Sequence, residues 1–147
     1  MKNLNNQRSQ SYSNHNQILN CLMFKNFLLV FLGGGAGSML RFGVSLIFPR
    51  SNSFSFPLST FLVNIIGCFL LGLIVGLVEK YDHLSVPLQI LLVTGFCGGF
   101  TTFSAFAYEN VKMLQEGHAI MFVIYTISSL AAGLLFLLAG LNLVKLF

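Results

Sequence analysis

Four apolar runs, each close to bilayer-spanning length, leave this chain little choice of fold class. The hydrocarbon core of a membrane is about 30 Å thick, and a helix crosses it in roughly 20 residues. The runs extend from about Phe27 to Phe48, Pro57 to Val78, Val86 to Val111 and Ala119 to Val144. Between them lie a Ser-rich loop (Ser51 to Phe56), a charged turn (Glu79 to Ser85) and the stretch Lys112 to His118. None of these connections has room for a water-soluble domain. Composition agrees: 55% of the 147 residues are hydrophobic and 8% are charged, against about 25% charged in an average soluble domain. The expected fold is all-α, with four transmembrane helices and membrane lipid as the surrounding solvent.

Residues 1–22 read differently. They are rich in Asn, Gln and Ser, hold too little apolar surface to fold, and lack the apolar stretch of a secretory signal. The expected division is a disordered polar extension at 1–22 and a four-helix transmembrane domain at 23–147. Met23 opens the stretch MFKNFLLVFLGGG and reads as a natural translation start, which N-terminal mass spectrometry would test. Counted from Met23, one side of the membrane carries Lys25, Lys80 and Lys145, and the other Arg50 and Lys112. Adding Lys2 and Arg8 makes the bias five against two. Positive charge orients membrane helices, and three against two is compatible with insertion in both orientations. The three cysteines (Cys21, Cys68, Cys97) show no C-x-x-C spacing, and the two inside spans are expected to act as small hydrophobes.

Each span carries a small or polar stripe. In the first, Gly33, Gly37, Arg41 and Ser45 recur every four residues and share a face; small residues there let helices approach closely. GGGAG lacks both a preceding strand and a following Lys-Ser/Thr, so it is not a phosphate loop. Arg41 is a charge at membrane depth, which implies either a functional or paired role or snorkelling to the interface. In the second span Thr60, Asn64, Gly67, Cys68, Gly72 and Gly76 run along one face. The Asn64 amide offers two donors, to an anion or to a neighbouring helix.

The third span, LLVTGFCGGFTTFSAFAYEN, is the most unusual. Gly95, Gly98 and Gly99, flanked by Thr94, Thr101 and Thr102, predict an unwound segment at mid-membrane. Its freed carbonyls suit a hard cation such as Na⁺; the alternative is a kinked packing helix. Phe103 and Phe106 follow on a common face. Their ring edges carry partial positive charge that can meet an anion, unless the rings only face lipid or core. Thr102 and Ser104 add hydroxyls beside them. In the fourth span Tyr125, Ser129 and Gly133 are four residues apart, with Thr126 and Ser128 alongside. Such hydroxyls donate to a moving anion or to their own helix. No acidic residue is counted within a span, which favours anions over cations. Four helices are thin material for a sealed aqueous pore, so at least a dimer is expected.

GGGAGSMLRF, STFLVNIIGCFLLG and GFCGGFTTFSAFAYE, in this order, resemble the Fluc/CrcB family of fluoride channels, and the resemblance runs from Met23 onward. It implies a passive, fluoride-selective channel in the bacterial plasma membrane. Fluoride that accumulates as weakly acidic HF would leave the cytoplasm as F⁻, which confers fluoride resistance. It further implies an antiparallel, dual-topology dimer with two pores. A structural Na⁺, not transported, would sit at the third-span breaks on the dimer axis, held by backbone carbonyls of Gly98 and Thr101 from both subunits. Phe103 and Phe106 would contact fluoride through ring edges, and Asn64 would stand in the pore. Thr102 and Ser104 would fall beside the polar track, Tyr125 and Ser129 on its span-four part, and Arg41 in a structural or vestibular place. Cys68 stands where the family usually has Ser, and Ala105 and Ala107 replace residues often Thr or Ser, which would shorten that track. The polar extension is not a family feature.

Whether the chain pairs with itself or with a paralogous subunit stays open. Two rivals from other classes remain: a small four-span multidrug-type transporter, and a non-conducting partner subunit of a membrane complex. The first would be expected to carry a Glu in span one, and none is present. An enzyme is not expected, since no His lies within a span and no nucleophile–base pair is apparent. Nor is a nucleic-acid partner expected.

Overall fold

The computed structural model describes residues 2–49, 56–81 and 85–146. Arg50, the Ser-rich connection at 51–55 and the charged turn at 82–84 lie outside the described residues. Helix α1 covers Lys2–Ile47 and α2 covers Leu58–Tyr81. The third span is assembled from α3 (Val86–Gln89), a π-helical stretch (Ile90–Cys97), α4 (Gly98–Phe100) and, after a break, α5 (Phe103–Gln115). Helix α6 covers Ala119–Leu146. Among the described residues four segments are long and apolar enough to cross a membrane: Leu19–Ile47, Leu58–Lys80, Val86–Gln115 and Ala119–Leu146. The all-α, four-span architecture read from the apolar runs is the one observed.

The surface confirms the solvent. Phe31, Met39 and Ile120 are 72%, 75% and 79% exposed, and they are three of many large apolar side chains turned outward. In water such a surface would drive association; against lipid tails it carries no penalty. The polar run at 1–22, expected to be disordered, is helical in its backbone from Lys2. Its residues are indifferent helix formers, but adding turns to an existing helix avoids the cost of nucleation.

Two helix pairs make most of the contacts: α1 lies along the third span, and α2 along α6. Both pairs close on glycine. A methyl group on Gly37 would meet the Phe96 carbonyl and lie 2.7 Å from the Phe100 amide nitrogen. A methyl on Gly99 would run into the backbone of Gly34, and one on Gly140 into that of Phe69. Lipid supplies no hydrophobic drive between helices, so close backbone packing of this kind is what holds them.

The break in the third span does not fall on the glycines. Gly98 is helical (φ −63°, ψ −36°). The chain opens at Thr101 (φ −76°, ψ 158°) and Thr102 (φ −148°, ψ 114°). The reason is a division of labour. Gly95 and Gly99 are placed where the α1 backbone packs against them, at Gly33 and Gly34. Extended backbone suits β-branched Thr, and Thr102 also caps α5 by accepting a hydrogen bond from the Ala105 amide.

Candidate functional site

A backbone opened inside a membrane must find other partners for its polar groups. At this break side chains from neighbouring helices supply them. The Thr102 amide donates to Asn64 Oδ1 at 2.8 Å, and Asn64 Nδ2 donates to the Thr102 carbonyl at 3.2 Å. In a continuous helix the Thr102 amide would have gone to the Gly98 carbonyl four residues back. Thr101 instead closes the preceding turn, its amide and hydroxyl both donating to the Cys97 carbonyl, at 3.0 and 2.9 Å. From α1, Ser38 donates to the Gly99 carbonyl at 3.3 Å. The Thr102 hydroxyl lies 3.3 Å from that of Ser104.

Beside the break lies a cavity of about 480 Å³ between α2, the third span and α6. It brings together seven of the residues singled out from sequence: Asn64, Gly98, Thr101, Thr102, Phe103, Phe106 and Ser129. Its remaining walls are largely apolar, with Leu71, Leu130 and Leu134 among them. The Phe103 and Phe106 ring centroids are 6.0 Å apart and the rings are tilted by 42°. Phe103 is 79% exposed, so its ring stands at the open side. Ser129 matters most, because its hydroxyl is buried and has no hydrogen-bond partner among the described residues. An orphan of this kind is costly and points to a ligand that completes it.

Three expected site residues lie elsewhere. Ser104 is exposed, does not line the cavity, and meets it through its hydroxyl contact with Thr102. Arg41 lines a second cavity of about 280 Å³ with Ser38, Ser45, Ser59, Thr60 and Thr102. Thr102 therefore borders both cavities. Tyr125 is fully buried, packs at a tilt of 51° against Phe106 with centroids 5.2 Å apart, and donates its hydroxyl to Glu109 Oε2 at 2.7 Å.

Glu109 overturns the expectation that the spans carry no acid. It lies within the third span, is half-buried, and accepts from Thr60 Oγ1 at 2.8 Å as well as from Tyr125. Two charge-assisted bonds make a carboxylate tolerable at such a place. A spacing signal was available: Glu109 follows Phe106 by three residues and so shares its face. The next residue, Asn110, donates to the Phe106 carbonyl and accepts from Thr126, both at 2.8 Å. That pair ties α5 to α6 behind the Phe106 ring.

Among the described residues no group of three or more His, Cys, Asp or Glu side chains is placed to hold a metal. At the break the oxygens that a cation would meet are backbone carbonyls, the kind of donor expected from Gly98 and Thr101. Gly98 is exposed and both residues line the large cavity. With the Thr102 amide diverted to Asn64, that donor set fits a hard monovalent ion.

Comparison with known proteins converges on one family. The family described as CrcB-like protein, Camphor Resistance (CrcB), matches residues 28–141. A protein of Azobacteroides pseudotrichonymphae genomovar. CFP2 named fluoride-specific ion channel FluC is 46% identical over 125 residues, which is 85% of this chain and all of that one. Its namesake in Chlorobaculum tepidum is 46% identical over 125 residues, covering 85% of this chain and 98% of the relative. That of Methylobacillus flagellatus is 45% identical over 120 residues, covering 81% and 94%.

Proposed function

Because this chain belongs to the CrcB family, we propose that it is a fluoride-selective channel of the bacterial plasma membrane, passing fluoride passively out of the cytoplasm. It is a multi-pass membrane protein, and neither a multidrug-type transporter nor a non-conducting subunit finds support in the family match. The reading is of a channel and not of an enzyme. The observation that carries it is the buried hydroxyl of Ser129, without a partner among the described residues, in the cavity that Phe103 and Phe106 also line. A small, strongly hydrated anion gives up water only where donors replace it. Ser129 offers one hydrogen. Asn64 offers its second amide hydrogen, the first being held by the Thr102 carbonyl. The ring edges of Phe103 and Phe106 contribute partial positive charge without a fixed cation that would trap the ion.

The functional unit on this reading is an antiparallel dimer. Phe103, open on one side of a single chain, would be covered by a second copy, and the weak charge bias permits opposite insertions. Pairing of two copies would bring together four carbonyls, from Gly98 and Thr101 of each, around a structural Na⁺. A bound ion of this kind stabilises by mass action, so replacing Na⁺ with N-methylglucamine should lower the unfolding temperature. The central test is fluoride efflux from liposomes holding only this purified protein, with chloride in parallel. Fast fluoride efflux without chloride efflux supports a self-sufficient channel; no efflux from folded protein excludes it.

A further inference from the structure

We propose that Cys68 and Cys97 form a two-thiol site for a soft monovalent cation, Cu(I) or Ag(I), and that filling it closes the adjoining fluoride path. The binding rests on geometry, whereas the closure rests on the fluoride-channel reading. Helix α2 and the third span run in opposite directions, and their register is set by two contacts. Asn64 bonds to Thr102, and Gly67 abuts Thr101 and Phe100. From the Asn64–Thr102 pair, about one turn forward along α2 and about one turn back along the third span bring Cys68 and Cys97 to a similar depth. Both line the 480 Å³ cavity, and both are free thiols. The Cys97 contact with Thr101 uses the carbonyl and leaves the sulfur available. Opposite Cys68, Gly133 has no side chain, and a methyl built there would lie 3.6 Å from the Cys68 sulfur. The absent side chain leaves space beside the thiol.

Thiolates select soft cations over hard ones, and two sulfurs satisfy the linear geometry of Cu(I) or Ag(I). Binding breaks two S–H bonds and forms two S–metal bonds. Both protons pass to water and no electron is transferred. Two neutral thiols and one cation thus become a site of net charge −1. That charge sits one helical turn from Asn64, in a largely apolar cavity where repulsion between like charges is only weakly screened. Fluoride entering the same cavity would be repelled.

The test uses the full chain with Cys21→Ser, reduced, in chloride-free nitrate buffer with silver nitrate as probe. Silver retained per chain is counted after desalting against excess imidazole. Fluoride efflux from liposomes is recorded before silver, after it, and after dithiothreitol. The expected result is one silver per chain, at least tenfold slower efflux, and recovery with dithiothreitol. Cys68→Ser should abolish retention and raise the blocking silver concentration at least tenfold, with Cys97→Ala doing the same. Retention of one silver by Cys68→Ser, or of two by the parent, would overturn the paired site, and Cys68→Ser decides this even if Cys97→Ala does not fold. Silver bound without slower efflux would overturn the closure. Absent efflux before any silver would count against the channel reading, while the silver count still decides the site.

Discussion

Asn64 grips the backbone of Thr102 in both directions, accepting from its amide at 2.8 Å and donating to its carbonyl at 3.2 Å. One side chain on α2 thereby stands in for the helical bonds that the third span gives up at its break. Asn64→Ala leaves both backbone groups unpaired, at about 1–3 kcal/mol for each buried group. A clear drop in unfolding temperature in detergent is expected, together with loss of fluoride efflux. Asn64→Asp keeps the acceptor for the Thr102 amide and places a negative charge at the cavity. It should retain more of the stability than Asn64→Ala and still fail to conduct. Equal stability losses in the two variants would contradict this account.

Ser129 separates stability from conduction. Removing an unsatisfied buried hydroxyl relieves a desolvation penalty, so Ser129→Ala should unfold at the same temperature or higher. Efflux should nevertheless fall by about tenfold, the loss of roughly one hydrogen bond of about 1.4 kcal/mol. A variant that is destabilised and conducts normally would show that the hydroxyl serves the fold and not the ion.

Two glycines of α1 make a matched pair. Gly37 faces the backbone of Phe96 and Phe100, while nothing lies within 4 Å of a methyl on Gly35. Gly37→Ala should destabilise by about 1–3 kcal/mol through overpacking. Gly35→Ala should be neutral or stabilising, by up to about 1 kcal/mol of helix propensity. Comparing their thermal unfolding in one detergent tests whether α1 docks through this face.

Thr60 and Tyr125 share one carboxylate, Glu109. In a double-mutant cycle, Thr60→Val and Tyr125→Phe should be non-additive, with a coupling of about 0.5–3 kcal/mol. The first loss leaves Glu109 with one donor and the second with none, so the second should cost more. Additive losses would mean that each hydroxyl acts alone.

Much of this molecule was legible in its order of residues, and the exceptions have physical causes. Asn64, Phe103, Phe106 and Ser129 stood out because a polar or edge-polar group in an apolar run needs a reason to be there, and the fold brings these four to one cavity. The break was expected within the Gly/Thr stretch around Gly95, Gly98 and Gly99 and their flanking threonines, just before Phe103, because glycine weakens helices. It opens at the threonine end, Thr101 and Thr102, while Gly95 and Gly99 serve the close approach of the α1 backbone at Gly33 and Gly34. Glu109 was passed over near a span's end, where its two donors, 49 and 16 residues away in sequence, are invisible to any local pattern. Tyr125 was read as a donor to a moving ion, yet its hydroxyl donates to that carboxylate.

The solvent and the number of spans were legible from the residues alone, because run length and hydropathy answer directly to bilayer thickness, and the family was legible from the motifs inside the spans. Tertiary structure alone decided where the third helix opens, which carboxylate is held at depth, and which hydroxyl is left without a partner. Those outcomes depend on how closely one helix approaches another, and that distance follows from side chains meeting across the bundle, which periodicity along a single helix does not encode.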